Sequence, residues 1–251
     1  MEWAAYPLLF LAGCVAGAVN VMAGGGSFLT LPILIFLGLP AGVANGTNRV
    51  GILIQNIGAV WSFERHGVLD RRALMWAAAP ATVGAVLGTW AALRVSDVAF
   101  ERILASLMLA ISLWTLWPRG EKRARQAPAS EVRVAPGLTT GAAFFAVGIY
   151  GGFVQAGVGF FILAATTMAG LDLVRGNAVK VLSILCFTAL SLSIFAFHGR
   201  VDWPIGVVLA GGTVLGGLVG ARLTVLKGHR WVRGVVTVTM ILFALKLWLA
   251  D

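Results

Sequence analysis

Long apolar runs recur from one end of this sequence to the other, and short charged stretches separate them. Of the 251 residues, 59% are hydrophobic and only 12% are charged. A soluble chain of this length would need a polar surface that such a composition does not supply. The sequence therefore predicts an all-α polytopic membrane protein. Basic loops then account for the formal charge of +9, and nucleic acid binding is not expected.

The chain contains an internal repeat at an offset of about 132 residues. The motif HGVLD at residues 66–70 recurs as HGRVD at residues 198–202. Further matches pair Gly84 and Gly88 with Gly216 and Gly220, Arg49 with Lys180, Arg102 with Arg233, and residues 23–26 with 156–159. These matches predict an N-terminal membrane repeat at 1–117, a cytoplasmic linker at 118–136 and a C-terminal membrane repeat at 137–251.

Each half of the chain contains about five apolar segments. They are predicted at 4–22, 27–39, 43–63, 74–93 and 100–117, and at 137–155, 159–170, 176–197, 204–223 and 234–250. The second segment of each half is short for a bilayer, which needs about 20 residues. The sequence leaves open whether segments 27–39 and 159–170 span the membrane or are re-entrant.

An odd number of segments makes the second half enter the membrane from the opposite face. With the linker cytoplasmic, thirteen Lys and Arg lie in inside loops and four lie in outside loops or ends. This distribution satisfies the positive-inside rule and places both ends of the sequence outside. Two inverted-topology repeats, the arrangement predicted here, are the architecture of many secondary transporters.

Glycine-rich breaks occur at matching places in the two halves. The first is AGGGS at 23–27, followed by Pro32, and the second is QAGVGF at 155–160. Broken backbone at membrane depth is tolerated only inside protein or beside a water-filled cavity. Helices that begin at these breaks would direct free N–H groups at a midplane cavity, which suits an anion. Close helix packing at small residues is the alternative.

Two basic residues stand inside apolar segments, one in each half. Arg49 shares a broad helical face with several amides, and its repeat partner Lys180 lies near Asn177 and Ser183. Neither cation has an acid within one helical turn, so the pair could form a cage for a small anion. Alternatively, both side chains snorkel to the membrane interface.

Other motifs have simpler interpretations. The two HGxxD motifs favour turns and helix caps, although their His and Asp could also accept protons during gating. The pairs Gly84/Gly88 and Gly216/Gly220 are typical of packing faces. Cys14 and Cys186 are expected to be small buried side chains. No HExxH or GxSxG motif is present, which disfavours an enzyme.

Two stretches of the chain resemble motifs of the sulfite exporter TauE/SafE family. The first resembles the N-terminal signature of that family and reads AGAVNVMAGGGSFLTLPILIFLGLPAGVANGTNRVG, and the second resembles its second-half motif and reads GGFVQAGVGFFIL. The resemblance implies a multi-pass permease of the bacterial inner membrane for small sulfur-containing anions such as sulfite, sulfonates or sulfoacetate. The residues carried over by position are Gly24, Gly25, Gly26, Pro32, Asn45, Thr47 and Asn48. Ala178 and Val179 replace Thr47 and Asn48 in the second half, which favours an asymmetric site.

The function expected from these observations is a secondary transporter, with an exporter favoured, that alternates access to a midplane cationic site. An anion channel is the alternative. Neither a cofactor nor a metal is predicted. Coupling to a proton or ion gradient and assembly as a homodimer are compatible with this arrangement. The predicted substrate-binding residues are Asn20, Gly24, Gly25, Gly26, Ser27, Asn45, Thr47, Asn48, Arg49, Gln155, Gly157, Gly159, Asn177 and Lys180.

Overall fold

The computed structural model describes residues 5–23, 25–116, 137–227 and 240–248, and all regular structure within them is helical. The helices are α1 (Ala5–Ala23), α2 (Ser27–Phe36), α3 (Ala41–Arg65), α4 (Ala79–Arg94), α5 (Asp97–Leu116), α6 (Leu138–Phe153), α7 (Val158–Met168), α8 (Leu173–Phe197), α9 (Trp203–Lys227) and α10 (240–248). A π-helical turn, Leu74–Ala78, leads directly into α4. This architecture confirms the predicted α-helical class.

Each helix lies within a few residues of its predicted segment, and the local sequence explains the observed starts. Pro40 precedes α3 as its N-cap residue, with φ −53° and ψ 140°. The Asp172 side chain accepts hydrogen bonds from the backbone N–H groups of Val174 and Arg175, so it caps α8. The predicted linker at 118–136 and part of the last predicted segment lie outside the described residues.

The second helix of each half is short. Helix α2 has 10 residues and contains Pro32, and α7 has 11 residues. At 1.5 Å per residue, each is about 15 Å long, roughly half of a hydrocarbon core. Neither helix is long enough to cross a bilayer by itself, and each begins directly after a glycine-rich break.

The first helix of one half packs against the fourth helix of the other. Helix α1 makes its largest contact with α9, and α4 makes its largest contact with α6. A Cβ atom at Gly84 or Gly88 would overlap the backbone of α6, and one at Gly216 would overlap the Cys14 carbonyl. The packing interpretation is therefore confirmed at these three glycines. Gly220 lies in α9, but its side-chain surroundings lie outside the described residues.

Two helical stretches within the described residues are long and apolar enough to cross a membrane by length and composition, Leu74–Arg94 and Val174–Phe197. Shorter apolar stretches lie at Tyr6–Val21, Ser27–Phe36, Leu138–Phe153, Val158–Met168 and Trp203–Val219. Large apolar side chains such as Met75, Leu138 and Phe197 point outward from the helices. A lipid environment would cover these side chains.

The two HGxxD motifs form equivalent turns. Gly67 has φ +66° and Gly199 has φ +65°, each one residue past the C-cap histidine of its helix. The carboxylate of Asp70 accepts from the Arg72 N–H, and the carboxylate of Asp202 accepts from the Ile205 N–H. The expected turn and capping roles are confirmed for both motifs.

Candidate functional site

The two glycine-rich breaks meet inside the protein. Phe28 of α2 packs on Gly157 in the α6–α7 break, residues 154–157, where a Cβ would overlap the ring. Phe160 of α7 packs on Gly25 in the α1–α2 break, described at residues 25–26, with a ring carbon 3.2 Å from the position of a Cβ. Each break is therefore covered by an aromatic side chain from the other half.

The helix starts at the breaks differ from the expectation of free N–H groups. Phe28 N donates to the Gly25 carbonyl at 3.1 Å, and Phe160 N donates to the Gly157 carbonyl at 3.0 Å. Val158 N likewise donates to the Gln155 carbonyl at 3.3 Å. These tight i to i−3 bonds satisfy backbone groups that water cannot reach. Several first-turn N–H groups are thus already paired, so side chains must carry more of any ligand binding.

Arg49 of α3 lies across the end of α6. Its side chain is 0% exposed, and its Nη2 donates to the Gly152 carbonyl at 2.6 Å and to the Gly151 carbonyl at 3.2 Å. The neighbouring Asn45 Nδ2 donates to the Phe153 carbonyl at 2.7 Å. The last carbonyls of a helix have no partner within that helix. Asn45 and Arg49 supply those partners and complement the negative end of the α6 dipole.

The rest of the Arg49 guanidinium has no hydrogen-bond partner. Its Nε and Nη1 are buried and unbonded, and its Cζ lies 4.9 Å from the centre of the Phe195 ring. In the part of the chain that the structure describes, no carboxylate forms a salt bridge with it. A buried charge without a counter-charge is costly, commonly by several kcal/mol. The geometry therefore leaves two donors and a positive charge for a ligand.

Lys180 provides a second buried cation. It is 7% exposed, and its ammonium has no hydrogen bond or salt bridge to any described residue. One helical turn further along α8, the Ser183 hydroxyl is buried and also unpartnered. Arg49 does not reach the protein surface, so the snorkelling alternative is wrong for Arg49. Lys180 is largely buried and keeps a small exposed fraction, so for Lys180 the two interpretations stay open.

Two threonines orient amide side chains in the same region. The Thr30 hydroxyl donates to Asn48 Oδ1 at 2.5 Å and leaves Nδ2 buried without a partner. Gln155, which adopts φ +62°, bonds through Nε2 to the Thr188 hydroxyl at 2.7 Å and leaves Oε1 unpartnered. A hydroxyl can donate or accept, so rotation of the Gln155 amide would present its N–H groups instead.

The remaining predicted site residues bond to other parts of the protein, line the two breaks or have no described partner. The Thr47 hydroxyl accepts from the Asp202 N–H at 2.9 Å and so holds the α8–α9 turn. Asn20 donates to Gln55 Oε1 at 2.7 Å. Asn177 is half-buried and makes no hydrogen bond to a described residue. Gly24 lies outside the described residues, while Gly25, Gly26, Ser27, Gly157 and Gly159 form the buried walls of the two breaks.

Sequence reasoning missed a set of buried hydroxyls. Thr89 donates to Ser191 Oγ at 2.8 Å and lies 3.2 Å from the Gly152 carbonyl that Arg49 also contacts. Thr30 and Thr188 hold the two amides. The detectable signal was in α8, where Ser183, Thr188 and Ser191 share a helical face with Lys180. The hydroxyls of α2 and α4 carry no such pattern and required the tertiary contacts.

Comparisons with known proteins place this arrangement among membrane transporters. The family model described as sulfite exporter TauE/SafE matches residues 9–247. The chain is 30% identical to a "probable membrane transporter protein ORF9" of Sinorhizobium sp, over 97% of this chain and 92% of that protein. It is 29% identical to a "probable membrane transporter protein" of Haemophilus influenzae over 96% and 93% of the two chains, and 29% identical to the "probable membrane transporter protein YfcA" of Escherichia coli K12 over 96% and 88%. No solved structure matches significantly.

Proposed function

This chain belongs to the sulfite exporter TauE/SafE family, and from that premise we propose that it exports small sulfur-containing oxyanions, such as sulfite, sulfonates or sulfoacetate, across the bacterial inner membrane. The substrate binds between the two glycine-rich breaks, where the sequence-matched cations of the two halves point into the protein. Arg49 supplies positive charge, Asn48 and Gln155 supply amide groups, and Lys180 supplies a second positive charge further along α8.

The observation that carries this proposal is the buried, half-satisfied Arg49 guanidinium. Its Nη2 is held by the α6 carbonyls, while Nε and Nη1 have no partner. Sulfite and sulfonate groups offer several oxygen acceptors and at least one negative charge, so they satisfy both needs of this side chain. The fixed Nη2 bonds orient the guanidinium before the ligand arrives, which lowers the entropy cost of binding.

The packing pattern supports transport by alternating access between two inverted halves. Each helix can be replaced by its counterpart in the other half. The α1–α9 contact then becomes the α6–α4 contact, and the α3–α9 contact becomes the α8–α4 contact. The structure has both members of each pair. A site at the meeting point of two such halves can open to either face when one half rocks against the other. Ala178 and Val179 stand where the first half has Thr47 and Asn48, so the second half offers fewer polar groups. This asymmetry does not prevent such a motion.

The test is transport and binding in a purified system. Proteoliposomes are loaded with sulfite, sulfoacetate or thiosulfate under imposed proton and potential gradients, and uptake or release is measured. Carrier behaviour is saturable flux that responds to a gradient, whereas non-saturating electrical current would favour the channel alternative. A protein that neither binds nor moves any of the three oxyanions would contradict the proposal.

Substitution of Arg49 tests the site itself. We expect Arg49→Gln to weaken oxyanion binding by roughly 10- to 100-fold, because it removes charge-assisted hydrogen bonds. Arg65→Gln, at the exposed end of the same helix, is the matched control and should bind normally. Arg49→Lys keeps the charge but loses the planar donor set, so its affinity should fall between the two. Equal affinity in all variants would remove Arg49 from the site.

A further inference from the structure

A small cavity lies at the end of the bundle that the charge distribution assigns to the outer face. It has a volume of about 80 Å³, enough for more than one ordered water or a small oxyanion. We call it the outer vestibule. It is lined by Gly42, Ala92, Ser96, Asp97, Phe195 and Arg200.

The vestibule carries a positive group at its mouth. Arg200 is half-buried and forms no salt bridge with a described residue. The Asp97 carboxylate accepts from the Gly42 N–H at 2.7 Å, so it caps the start of α3. Asp97 Oδ1 and Arg200 Nη1 lie 3.4 and 3.5 Å from the position of a Cβ on Gly42, so both charges face the vestibule, and the positive end of α3 offsets part of the Asp97 charge.

Phe195 separates the vestibule from Arg49. Its side chain is 0% exposed, it lines the vestibule, and its ring lies 4.9 Å from the Arg49 Cζ atom. Rotation or displacement of this one ring would therefore join the vestibule to the proposed binding site.

A set of four polar side chains lies on one broad face of α8 on the inner side of Phe195, with the buried apolar side chains Ile184 and Phe187 among them. We call it the α8 polar stripe, and its members are Lys180, Ser183, Thr188 and Ser191. From Lys180 to Phe195, the stripe is about 22 Å long at 1.5 Å per residue. Its hydroxyls are buried in the protein, and that of Ser183 has no partner. Such groups can replace the water shell of a moving anion.

We propose that the substrate passes between the outer vestibule and Arg49 past the Phe195 ring, and that this ring is the gate that closes the path to the outer end of the α8 polar stripe. This inference rests on the proposed function, because it assumes that an oxyanion occupies the Arg49 site. Beyond the proposed function, the inference names the path to the outer face and assigns its control to Phe195.

The experiment measures access to the stripe from outside. In a background with Cys14→Ser and Cys186→Ser, the thiol introduced by Ser191→Cys is exposed to sulfonatoethyl methanethiosulfonate, a membrane-impermeant sulfonate, added to right-side-out vesicles. We expect Phe195→Ala to raise the labelling rate about tenfold or more, since it shifts the path toward open states. Phe197→Ala is the matched control, because Phe197 points outward on the same helix and should leave the rate unchanged.

Two further measurements keep the test decisive. Phe195→Leu preserves most of the buried volume and should give an intermediate rate if the alanine variant fails to fold. If the protein binds sulfite but the labelling rate of Ser191→Cys is the same with and without a substitution at Phe195, the gate is contradicted and the proposed function stands. Labelling that depends on residue 195 in a protein that binds no oxyanion would instead overturn the proposed function.

Discussion

Arg49 and Lys180 occupy matching places in the two halves, but their surroundings differ. Arg49 is anchored by the Gly151 and Gly152 carbonyls and lies against the Phe195 ring. Lys180 has no such anchor within the described residues. A guanidinium can divide its donors between the protein and a ligand, whereas an ammonium is a compact charge on a flexible stem. Arg49 is therefore suited to orient an anion, and Lys180 to neutralise it.

The isolation of Lys180 leads to a stability prediction. We expect Lys180→Met to raise the unfolding free energy of the ligand-free protein by about 1–3 kcal/mol, because it removes a buried charge that has no partner. The same variant should bind sulfite more weakly. Thermal unfolding in detergent, with and without sulfite, measures both effects.

Lys246→Met is the control for that experiment. The Lys246 ammonium lies 4.0 Å from the centre of the Phe36 ring, so its charge already has a favourable contact. Its replacement should bring no gain in stability. A destabilised Lys180→Met protein with unchanged sulfite affinity would show that Lys180 has a structural role only.

Single residues of the site were predictable where they were chemically unusual. Arg49, Lys180 and the amides stand out because charges and amides are rare in apolar segments. Thr47 shows the limit of that reasoning, since its hydroxyl bonds to the Asp202 N–H across more than half of the chain. Thr30 and Thr188 acquire their roles through a partner on another helix, and no local pattern contains that information.

The contact between α4 and α6 depends on four glycines. Gly84 and Gly88 face the α6 backbone, and Gly148 and Gly152 face the Ala81 and Ala85 carbonyls. Each glycine removes a side chain that would hold the helices apart, so the backbones approach closely. This packing fixes the end of α6, and with it the carbonyls that Arg49 contacts.

Substitution at this contact should be costly. We expect Gly88→Ala to destabilise the protein by about 2 kcal/mol or more, because its Cβ would overlap the Ile149 carbonyl. Gly58→Ala in α3 is the control. Apart from its chain neighbours and the backbone of its own helix, no atom lies within 4 Å of its Cβ position, and alanine favours a helix by up to about 1 kcal/mol over glycine. Equal loss of thermal stability in both variants would contradict this account.

Helix boundaries followed the sequence closely because glycine, proline and caps mark them, but the π-helical turn Leu74–Ala78 was not foreseen. Pro80 lies just beyond it, near the start of α4. Proline has no N–H to donate to the residue four positions earlier, and its ring clashes with that carbonyl. A wider turn relieves both problems. The proline was visible in the sequence, but whether the helix would widen into a π-helical turn depended on the packing of α4.

Within the described residues, the largest helix contacts form pairs that interchange when the two halves are exchanged. The two HGxxD turns offer a direct test of whether the halves are inverted in the membrane. Val68 and Arg200 occupy the same position in these two turns. The distribution of Lys and Arg assigns residue 68 to the cytoplasmic face and residue 200 to the outer face.

We therefore expect an impermeant maleimide to label Arg200→Cys in intact cells, and to label Val68→Cys only after the membrane is opened. Both variants carry Cys14→Ser and Cys186→Ser, so the native thiols do not contribute. Cells that express the cysteine-free parent give the background. Labelling of both positions from the same side would mean that the two halves enter the membrane in the same direction.

The crossed contacts at the breaks also constrain how this chain can change over evolutionary time. Phe28 packs on Gly157, and Phe160 packs on Gly25, so each half fits the aromatic side chain of the other. Enlarging Gly157 requires a smaller residue at position 28, and the same compensation links Gly25 to position 160. The two residues of each contacting pair, Phe28 with Gly157 and Phe160 with Gly25, are thus expected to be inherited together. A chimera that joins halves from two relatives should work only when both aromatic–glycine pairs are kept together.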